Sequence, residues 1–388
     1  MNYEQYLSDR VLNLKPSGIR RFFDLAAQMD DILSLSIGEP DFNTPLPIIQ
    51  AGIRSLEKGE THYTGNAGRI ELREALSIHL EKLHHVRYKP EGEIFLTVGG
   101  SEGLYVTAAA FLNPGDEIII PTPCFVSYQG VSILADAKIV EVATTMENNF
   151  DLDPKEIEKA ITPKTKAILL GFPSNPTGAV ASREMLLEVA RLAEEHDLIV
   201  ISDEMYDQII YDGEHICFST LPNMWERTIL LGGFSKDFAM TGWRIGYACG
   251  PKPLIEKMLF IHQYMIMCVN TTAQDAAIEA LQIGQEYVYE MVEEYKHRRD
   301  YIFKRLTDMG LPMVKPSGAF YAFPNISHSG LSSMEFCEQF LKEEKVAIVP
   351  GDAFGDAGKG FVRICYANSM ENITEAMNRL EHFLQKFK

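Results

Sequence analysis

The 388-residue sequence has no long apolar run, no excess of positive charge and no close pair of cysteines. No apolar run approaches the roughly 20 residues of a membrane-spanning helix, so a membrane protein is not expected. Lys and Arg number 36 against 54 Asp and Glu, and the formal net charge of −18 disfavours nucleic acid and anionic lipid as partners. The six cysteines form no CxxC motif, so no metal or redox motif is visible, and their scatter favours reduced thiols in the cytoplasm.

The remaining composition is that of a globular protein. Hydrophobic residues make up 46% of the chain, and the 28 glycines and 19 prolines form no low-complexity tract. At roughly 100–200 residues per domain, the length predicts two or three domains. A small anionic ligand would need a local cluster of cations in this acidic chain.

Short apolar runs alternate with helix-like stretches between residues 68 and 247. Most of these runs are apolar on both faces, which is typical of strands covered on both sides of a sheet. The alternation predicts an α/β fold with a mostly parallel seven-stranded sheet flanked by helices, in which ligands bind at the carboxyl ends of the strands. The predicted strands are 94–98, 117–121, 138–142, 166–170, 198–202, 228–232 and 244–248.

The pattern changes after residue 281, where a long charged helix over 286–309 is followed by shorter elements. We therefore predict a large domain over 46–281 and a smaller α/β domain over 282–388. Residues 1–45 contain prolines that interrupt regular structure near their end, and we expect them to form an arm that joins the small domain.

Polar residues stand at the ends of several predicted strands. The glycines before Ser101 lie between a strand and a helix, where backbone N–H groups can bind an anion. Pro176 biases Asn175 towards an extended conformation at a strand end. Asp203 and Tyr206 are three residues apart and share a face if a helical turn begins there. Each feature alone also fits an ordinary turn, cap or packed aromatic.

The segment 232–246 is the most informative of these loops. It places Ser235 and Lys236 just after a strand and Arg244 eight residues beyond the lysine. This loop supplies the local positive charge that the acidic chain otherwise lacks, which is costly to explain as packing alone.

Together these segments resemble the class I/II aminotransferases of pyridoxal-phosphate fold type I. The resemblance rests on S-N-P-T-G, D-E-x-Y and S-K-x-x-x-x-x-G-x-R in this order and spacing, and it covers nearly the whole chain. It implies pyridoxal 5′-phosphate as the cofactor. Further matching segments are Gly38-Glu-Pro-Asp-Phe42, Tyr63 with Gly68, Leu72-Arg73-Glu74-Ala75-Leu76, Asn113-Pro-Gly-Asp116 and Pro316-Ser-Gly-Ala-Phe-Tyr321.

The resemblance implies the catalytic roles. Lys236 would be the Schiff-base lysine on the cofactor aldehyde and would later move a proton between the substrate α-carbon and cofactor C4′. Asp203 would pair with the pyridine nitrogen and keep it protonated. Tyr206 and Asn175 would hydrogen-bond the ring oxygen O3′.

The resemblance also implies how the cofactor is held. Phe125 would stack on its ring, in a position where relatives often carry Trp or Tyr. The carboxylate of Glu102 would repel a phosphate, so we expect its N–H alone to be used and its side chain to point outward. The groups expected to hold the phosphate are Ser235, Arg244 and the backbone around Gly100, Ser101 and Glu102.

Further implied contacts concern the substrate and a second subunit. Tyr63 would reach the phosphate in the neighbouring subunit, which implies a homodimer with shared active sites. Arg363 would clamp the substrate α-carboxylate, with Gly38 and Asn175 in the same pocket. Lys15, on the arm, could approach the substrate side chain, although a solvent-exposed lysine is the simpler interpretation.

The predicted function is transfer of the amino group of an L-amino acid to a 2-oxo acid such as 2-oxoglutarate, by a ping-pong route. Aspartate, or a broad range of acidic and aromatic amino acids, is the first expectation for the donor, and N-acetyl-LL-diaminopimelate is the alternative. A C–S β-lyase or a synthase on the same fold is the main rival, because a fold does not fix a reaction. A cofactor-binding regulator is disfavoured by the net charge and by the absence of room for a DNA-binding module before Gly38.

Two other groups of residues receive plainer interpretations. His84 and His85 end a predicted helix, and without spaced carboxylates or cysteines we expect them to be solvated and not part of a metal site. Met265 and Met267 are expected to lie in the core.

Overall fold

The fold was obtained as a computed structural model that describes residues 1–14, 29 and 31–387. Lys15, and most of the arm between it and residue 30, lie outside the described residues. The helices are α1 (Asp9–Leu12), α2 (Leu46–Glu57), α3 (Ile70–His84), α4 (Gly99–Phe111), α5 (Val126–Leu134), α6 (Pro154–Ala160), α7 (Arg183–Glu195), α8 (Lys252–Met265), α9 (Thr271–Ile283), α10 (Gln285–Asp308), α11 (Ser333–Glu344) and α12 (Met370–Leu384).

The strands lie close to the predicted positions. They are β1 (Leu33–Ser34), β2 (Ile94–Thr97), β3 (Glu117–Thr122), β4 (Lys138–Ala143), β5 (Thr165–Gly171), β6 (Ile199–Asp203), β7 (Thr228–Gly233), β8 (Gly246–Cys249), β9 (Tyr321–Ala322), β10 (Val346–Ala347), β11 (Val349–Pro350) and β12 (Val362–Cys365).

The central sheet has seven strands in the order β2-β8-β7-β6-β5-β3-β4. Strand β8 runs antiparallel to both of its neighbours, and the other pairings are parallel. The prediction of an α/β fold with a mostly parallel seven-stranded sheet is therefore confirmed. The predicted strand 244–248 begins two residues late, because Arg244 has a left-handed φ of 54° that a strand cannot accommodate.

Burial explains why these segments form the sheet. Strands β2, β3, β7 and β8 are buried along their whole length, in agreement with their continuous apolar runs, whereas the edge strand β4 is largely exposed. Helix α7 buries Leu186, Val189 and Leu192 on one stripe, and the Ser182 hydroxyl accepts the Met185 N–H at its start.

The C-terminal segment forms a second layer of structure. Strands β11, β12 and β9 make an antiparallel sheet next to α10, α11 and α12, and β1 pairs in parallel with β10. The Leu33–Ser34 segment thus pairs with the C-terminal part of the chain. The proposed boundary at 281/282 falls in the last turn of α9, and the domain division remains a prediction. Among the described residues, no helix is both long and apolar enough to cross a membrane.

Candidate active site

A cavity of about 580 Å³ opens where the carboxyl ends of β6 and β7 face β12. It gathers every predicted site residue except Glu102 and Tyr63. The predicted residues in its wall are Gly38, Gly100, Ser101, Phe125, Asn175, Asp203, Tyr206, Ser235, Lys236, Arg244 and Arg363. The strand-end prediction for parallel sheets therefore located this cavity.

Lys236 lies at the base of the cavity, in the loop that follows β7. Its Nζ donates a hydrogen bond to the Gly38 carbonyl at 2.6 Å and lies 5.8 Å from the centre of the Tyr206 ring. Burial lowers the pKa of Lys236 to about 8, and the positive charges of Arg363 and Arg244 add to the shift. A neutral, nucleophilic amine is therefore accessible near physiological pH.

Asp203 is the last residue of β6 and presents a buried carboxylate to the cavity. It accepts a hydrogen bond from the Tyr128 hydroxyl at 2.9 Å and one from the Met205 N–H at 3.2 Å. Burial raises the pKa of Asp203 to about 6, against the opposing effect of the Tyr128 hydrogen bond. Tyr128 was not among the residues predicted from the sequence, although it follows Phe125 by three residues and thus lies on the same side of the first turn of α5.

Tyr206 is held by a second tyrosine that was also missed. The hydroxyls of Tyr206 and Tyr321 are 2.7 Å apart, and their rings meet edge to face. Tyr321 belongs to one of the segments that carried the resemblance, yet it received no role. A Cβ on Gly38 would lie 2.2 Å from the Tyr321 hydroxyl oxygen, so only glycine fits there.

Arg363 projects from β12 into the side of the cavity opposite the sheet. Its guanidinium donates to the Asn175 side-chain oxygen at 2.9 Å and to the Ser36 carbonyl at 2.6 Å. The group lies between the rings of Tyr321 (4.6 Å) and Phe354 (4.9 Å), and its buried Nε has no hydrogen-bond partner. The guanidinium is therefore a fixed cation whose Nε–H is unpaired, and its planar group can bind a carboxylate through two parallel N–H groups.

An anion cradle lies at the N-terminus of α4. Gly99 has a φ of +69°, and a Cβ there would lie 2.7 Å from Nη2 of Arg244, so glycine lets the guanidinium reach the helix terminus. The Arg244 fork is oriented by a hydrogen bond to the Thr241 carbonyl at 2.8 Å. The helix N–H groups, this cation and the nearby Ser235 hydroxyl suit a phosphate, so the residues present fit the cofactor that the resemblance implies.

Glu102 differs from the prediction. Its side chain turns away from the cavity, but it is buried instead of pointing outward to solvent. The carboxylate contacts Nδ1 of the fully buried His262 at 2.6 Å and accepts the Val98 N–H. The sequence could not show this pair, because the two residues are separated by 160 positions.

Tyr63 lies outside the cavity, with 82% of its surface exposed. It lines a separate surface hollow together with the segment 268–272, so its role at a second subunit's site remains a prediction. Met265 and Met267 are also exposed, so the expectation that they lie in the core is wrong. The Asn66 amide donates to the Met267 carbonyl, which ties these segments into one face.

His84 is likewise not solvated as expected. Its Nε2 lies 2.6 Å from an Asp207 carboxylate oxygen, and its side chain is buried. His84, Glu204 and His215 each place one potential ligand atom within 4.8 Å of the other two. The Nε2 atoms of both imidazoles are already paired with carboxylates, an arrangement typical of buried ion pairs.

A cavity at the strand ends with a partly buried lysine, a buried aspartate and two arginines defines an enzyme site for an anionic ligand. Residues 30–380 match the family "Aminotransferase class I and II". An aspartate aminotransferase of Pyrococcus abyssi is 49% identical over 98% of this chain and 99% of its own length. Aromatic-amino-acid aminotransferase 2 of Thermococcus litoralis is 48% identical over 98% of this chain and 99% of its own length. The solved aromatic aminotransferase of Pyrococcus horikoshii is 47% identical over 94% of this chain and 99% of its own, with a TM-score of 0.90.

The chain belongs to the class I and II aminotransferase family. It is an enzyme that transfers amino groups, as the resemblance implied.

Proposed function

We propose that the enzyme uses pyridoxal 5′-phosphate to transfer the amino group of an L-amino acid to a 2-oxo acid such as 2-oxoglutarate. When bound, this cofactor supplies an aldehyde that accepts the amino group and a ring that withdraws electrons from the substrate α-carbon. The observation that carries the proposal is the placement of Lys236, Asp203 and the Gly99–Arg244 cradle around one cavity.

Each residue of this set has a defined task. The α4 N-terminus, Ser235 and Arg244 bind the phosphate, and the ionised Asp203 holds a protonated ring nitrogen. Tyr206 donates to the ring hydroxyl oxygen, an interaction that its contact with Tyr321 pre-orients. Phe125 lies in the cavity wall, where its ring can stack on the ligand.

Lys236 binds the cofactor in the resting enzyme and then serves as a proton carrier. Its low pKa makes the neutral amine available to take a proton from the substrate α-carbon. Arg363 fixes the substrate α-carboxylate, and Asn175 sets the rotation of the guanidinium. Binding of the carboxylate would therefore hold the α-carbon over the lysine.

The second subunit is part of the proposal. Tyr63 lines a surface hollow with the segment 268–272, which directly follows the exposed apolar residues Tyr264, Met265 and Met267. An exposed apolar face of this kind is typical of a subunit interface. We propose a homodimer in which Tyr63 reaches the phosphate of the neighbouring site, in a cytoplasmic enzyme.

The test is the variant Lys236→Ala. It should fold, as measured by circular dichroism, and lose turnover by roughly a thousandfold or more. Borohydride treatment of the wild type with pyridoxal 5′-phosphate should fix the cofactor on the peptide that contains Lys236, and mass spectrometry would show it. Near-normal turnover of the variant, or a reduced adduct on another lysine, would refute the assignment.

The rival lyase is separated by a second measurement. With an amino acid but no acceptor, an aminotransferase should release one 2-oxo acid per site and then stop. Continued release of pyruvate and ammonia would favour a β-lyase instead.

A further inference from the structure

Each of three residues proposed to contact the cofactor is followed directly by an acid. The pairs are Asp203–Glu204, Tyr206–Asp207 and Lys236–Asp237. The first member of each pair lines the cavity, whereas Glu204 and Asp237 do not and Asp207 lines a different hollow. All three acids are buried. We call Glu204, Asp207 and Asp237, with His84 and His215, the rear cluster.

Hydrogen bonds hold Glu204 and Asp207 behind the cavity. Glu204 accepts from the Ser202 hydroxyl at 2.8 Å and the Phe218 N–H at 3.0 Å, and it contacts Nε2 of His215 at 2.6 Å. Asp207 contacts Nε2 of His84 at 2.6 Å. These partners come from β6, from α3 and from the segment between β6 and β7, so the rear cluster joins separate elements around the sheet.

Asp237 connects the lysine loop to this cluster. One of its oxygens accepts from the Gln208 amide at 3.1 Å, and Gln208 directly follows Asp207 in the Tyr206 turn. Burial raises the pKa of Asp237 well above its usual range, and the neighbouring Asp207 charge adds to this. Burial also acts to raise the pKa of Asp207, but His84, His215 and the neighbouring Asp237 together lower it to about 2.

Among the described residues, the hollow that Asp207 lines with His84 and His215 also contains the ionisable side chains of Arg183, His85 and Glu214. The side chains that interact electrostatically with its acids, beyond the members already named, include His79, Cys217 and Tyr247 among the described residues. Burying three carboxyl groups is costly unless each is fully paired. A pairing that also fixes the backbone of the neighbouring cavity residue would explain why the fold tolerates the energetic cost of burying these carboxyl groups.

We propose that the rear cluster positions Asp203, Tyr206 and Lys236 at the cofactor, with the Gln208–Asp237 hydrogen bond holding the Lys236 loop against the Tyr206 turn. Glu204, Asp207 and Asp237 are positioning residues, because each follows a cavity residue directly in the chain and does not itself line the cavity. The inference rests on the proposed function, since it assumes that Lys236 is the residue that captures the cofactor.

The test compares three variants by the rate at which Lys236 captures pyridoxal 5′-phosphate. The readout is the borohydride-fixed adduct on the Lys236 peptide, followed from pH 6 to 9. Asp237→Asn keeps a side-chain oxygen that can accept from Gln208, so its capture rate should stay within about twofold of wild type. Asp237→Ala loses the Gln208 contact, and capture should slow about tenfold while its pH midpoint moves by about one unit.

The control is Glu117→Gln, which alters a buried acid paired with Lys138 at the start of β3, away from the cavity. It should leave the capture rate and its pH midpoint unchanged even where it lowers the unfolding temperature. If Asp237→Ala does not fold, Asp237→Ser, whose shorter side chain does not reach Gln208, takes its place with the same expectation.

Capture by Asp237→Ala or Asp237→Ser with the wild-type rate and midpoint would overturn the inference and leave the cluster a merely structural one. Failure of the wild type to form the adduct at Lys236 would instead overturn the proposed function. The two failures are thus distinguishable.

Discussion

At the scale of single residues, burial sets the pH range in which Asp203 can work. Burial raises the pKa of Asp203 to about 6, and only its ionised form can hold a cationic ring nitrogen. We expect the affinity of the apo protein for pyridoxal 5′-phosphate to fall as the pH drops through about 6. Equilibrium dialysis between pH 5 and 8 measures this. The ligand's phosphate titrates in the same range, so the quantity to compare is the difference between wild type and Asp203→Asn. Coincident curves would remove Asp203 from the ring nitrogen.

The same shift predicts a gain in stability when the Asp203 charge is removed. A carboxyl group with a raised folded-state pKa makes the folded state less stable as pH rises from about 4 to about 6. Above pH 6 this cost is complete, so Asp203→Asn should unfold at a higher temperature than wild type at pH 8 and lose the advantage at pH 4. Differential scanning calorimetry at both pH values checks the prediction. An unchanged difference between the two pH values would contradict it.

Arg363 illustrates why the shape of a cation matters as well as its charge. The guanidinium is fixed by Asn175, Ser36 and two aromatic rings, and it offers a fork to a carboxylate. Arg363→Lys keeps the positive charge but replaces the planar guanidinium by a single ammonium group, which cannot bind a carboxylate through two parallel N–H groups. KM for the amino donor should therefore rise about 10- to 100-fold with a smaller change in kcat. Steady-state kinetics with both the donor and the oxo acid would show it, and an unchanged KM would place Arg363 outside the substrate site.

At the scale of elements, the Glu102–His262 contact joins the N-terminus of α4 to α8. His262→Phe preserves the ring but leaves the buried Glu102 without its partner, and we expect a loss of about 1–3 kcal/mol in the free energy of unfolding. Urea unfolding measures the loss, and phosphate affinity should fall with it because α4 carries the anion cradle. The double variant Glu102→Leu with His262→Phe removes both polar partners and should recover part of the stability. Additive losses in the double variant would show that the two residues do not interact.

The elements also show what the sequence could and could not reveal. The strands of the sheet are apolar runs that can be recognised locally in the sequence, and the carboxyl ends of parallel strands lie at one edge of the sheet. Asp203, Asn175 and Lys236 could therefore be placed near one another from the sequence alone. The reversed direction of β8 has no such local pattern. The ion pairs of Glu102 and His84 join distant parts of the chain, and whether a histidine is solvated or buried depends on a partner that its own segment does not contain.

At the scale of the whole molecule, the proposed dimer can be tested by mixing subunits. If Tyr63 serves the neighbouring site, Tyr63→Ala and Lys236→Ala chains each lack a different half of the site. A hybrid dimer would then contain one site with both residues and one with neither. After denaturation and refolding of an equal mixture, tight cofactor binding should return at about a quarter of the wild-type sites. Separately refolded chains, mixed afterwards, are the control. No recovery would show that Tyr63 acts within its own subunit or not at all.

The charge balance of the whole cavity bears on the amino donor. Among the described residues in its wall, the cations are Lys236, Arg244 and Arg363, and each already has a proposed partner in the cofactor or the α-carboxylate. The wall also contains the carboxylates of Asp203 and Glu39, and apolar side chains that include Ile37 and Phe354. We therefore expect phenylalanine or tyrosine to exceed aspartate in kcat/KM with 2-oxoglutarate by about tenfold, since a distal carboxylate would be desolvated without a partner. A donor panel that also contains N-acetyl-LL-diaminopimelate measures the ranking. Faster turnover of aspartate would mean that a cation from outside the described residues or from the second subunit reaches the site, and equal rates for all donors would mean that this wall does not select.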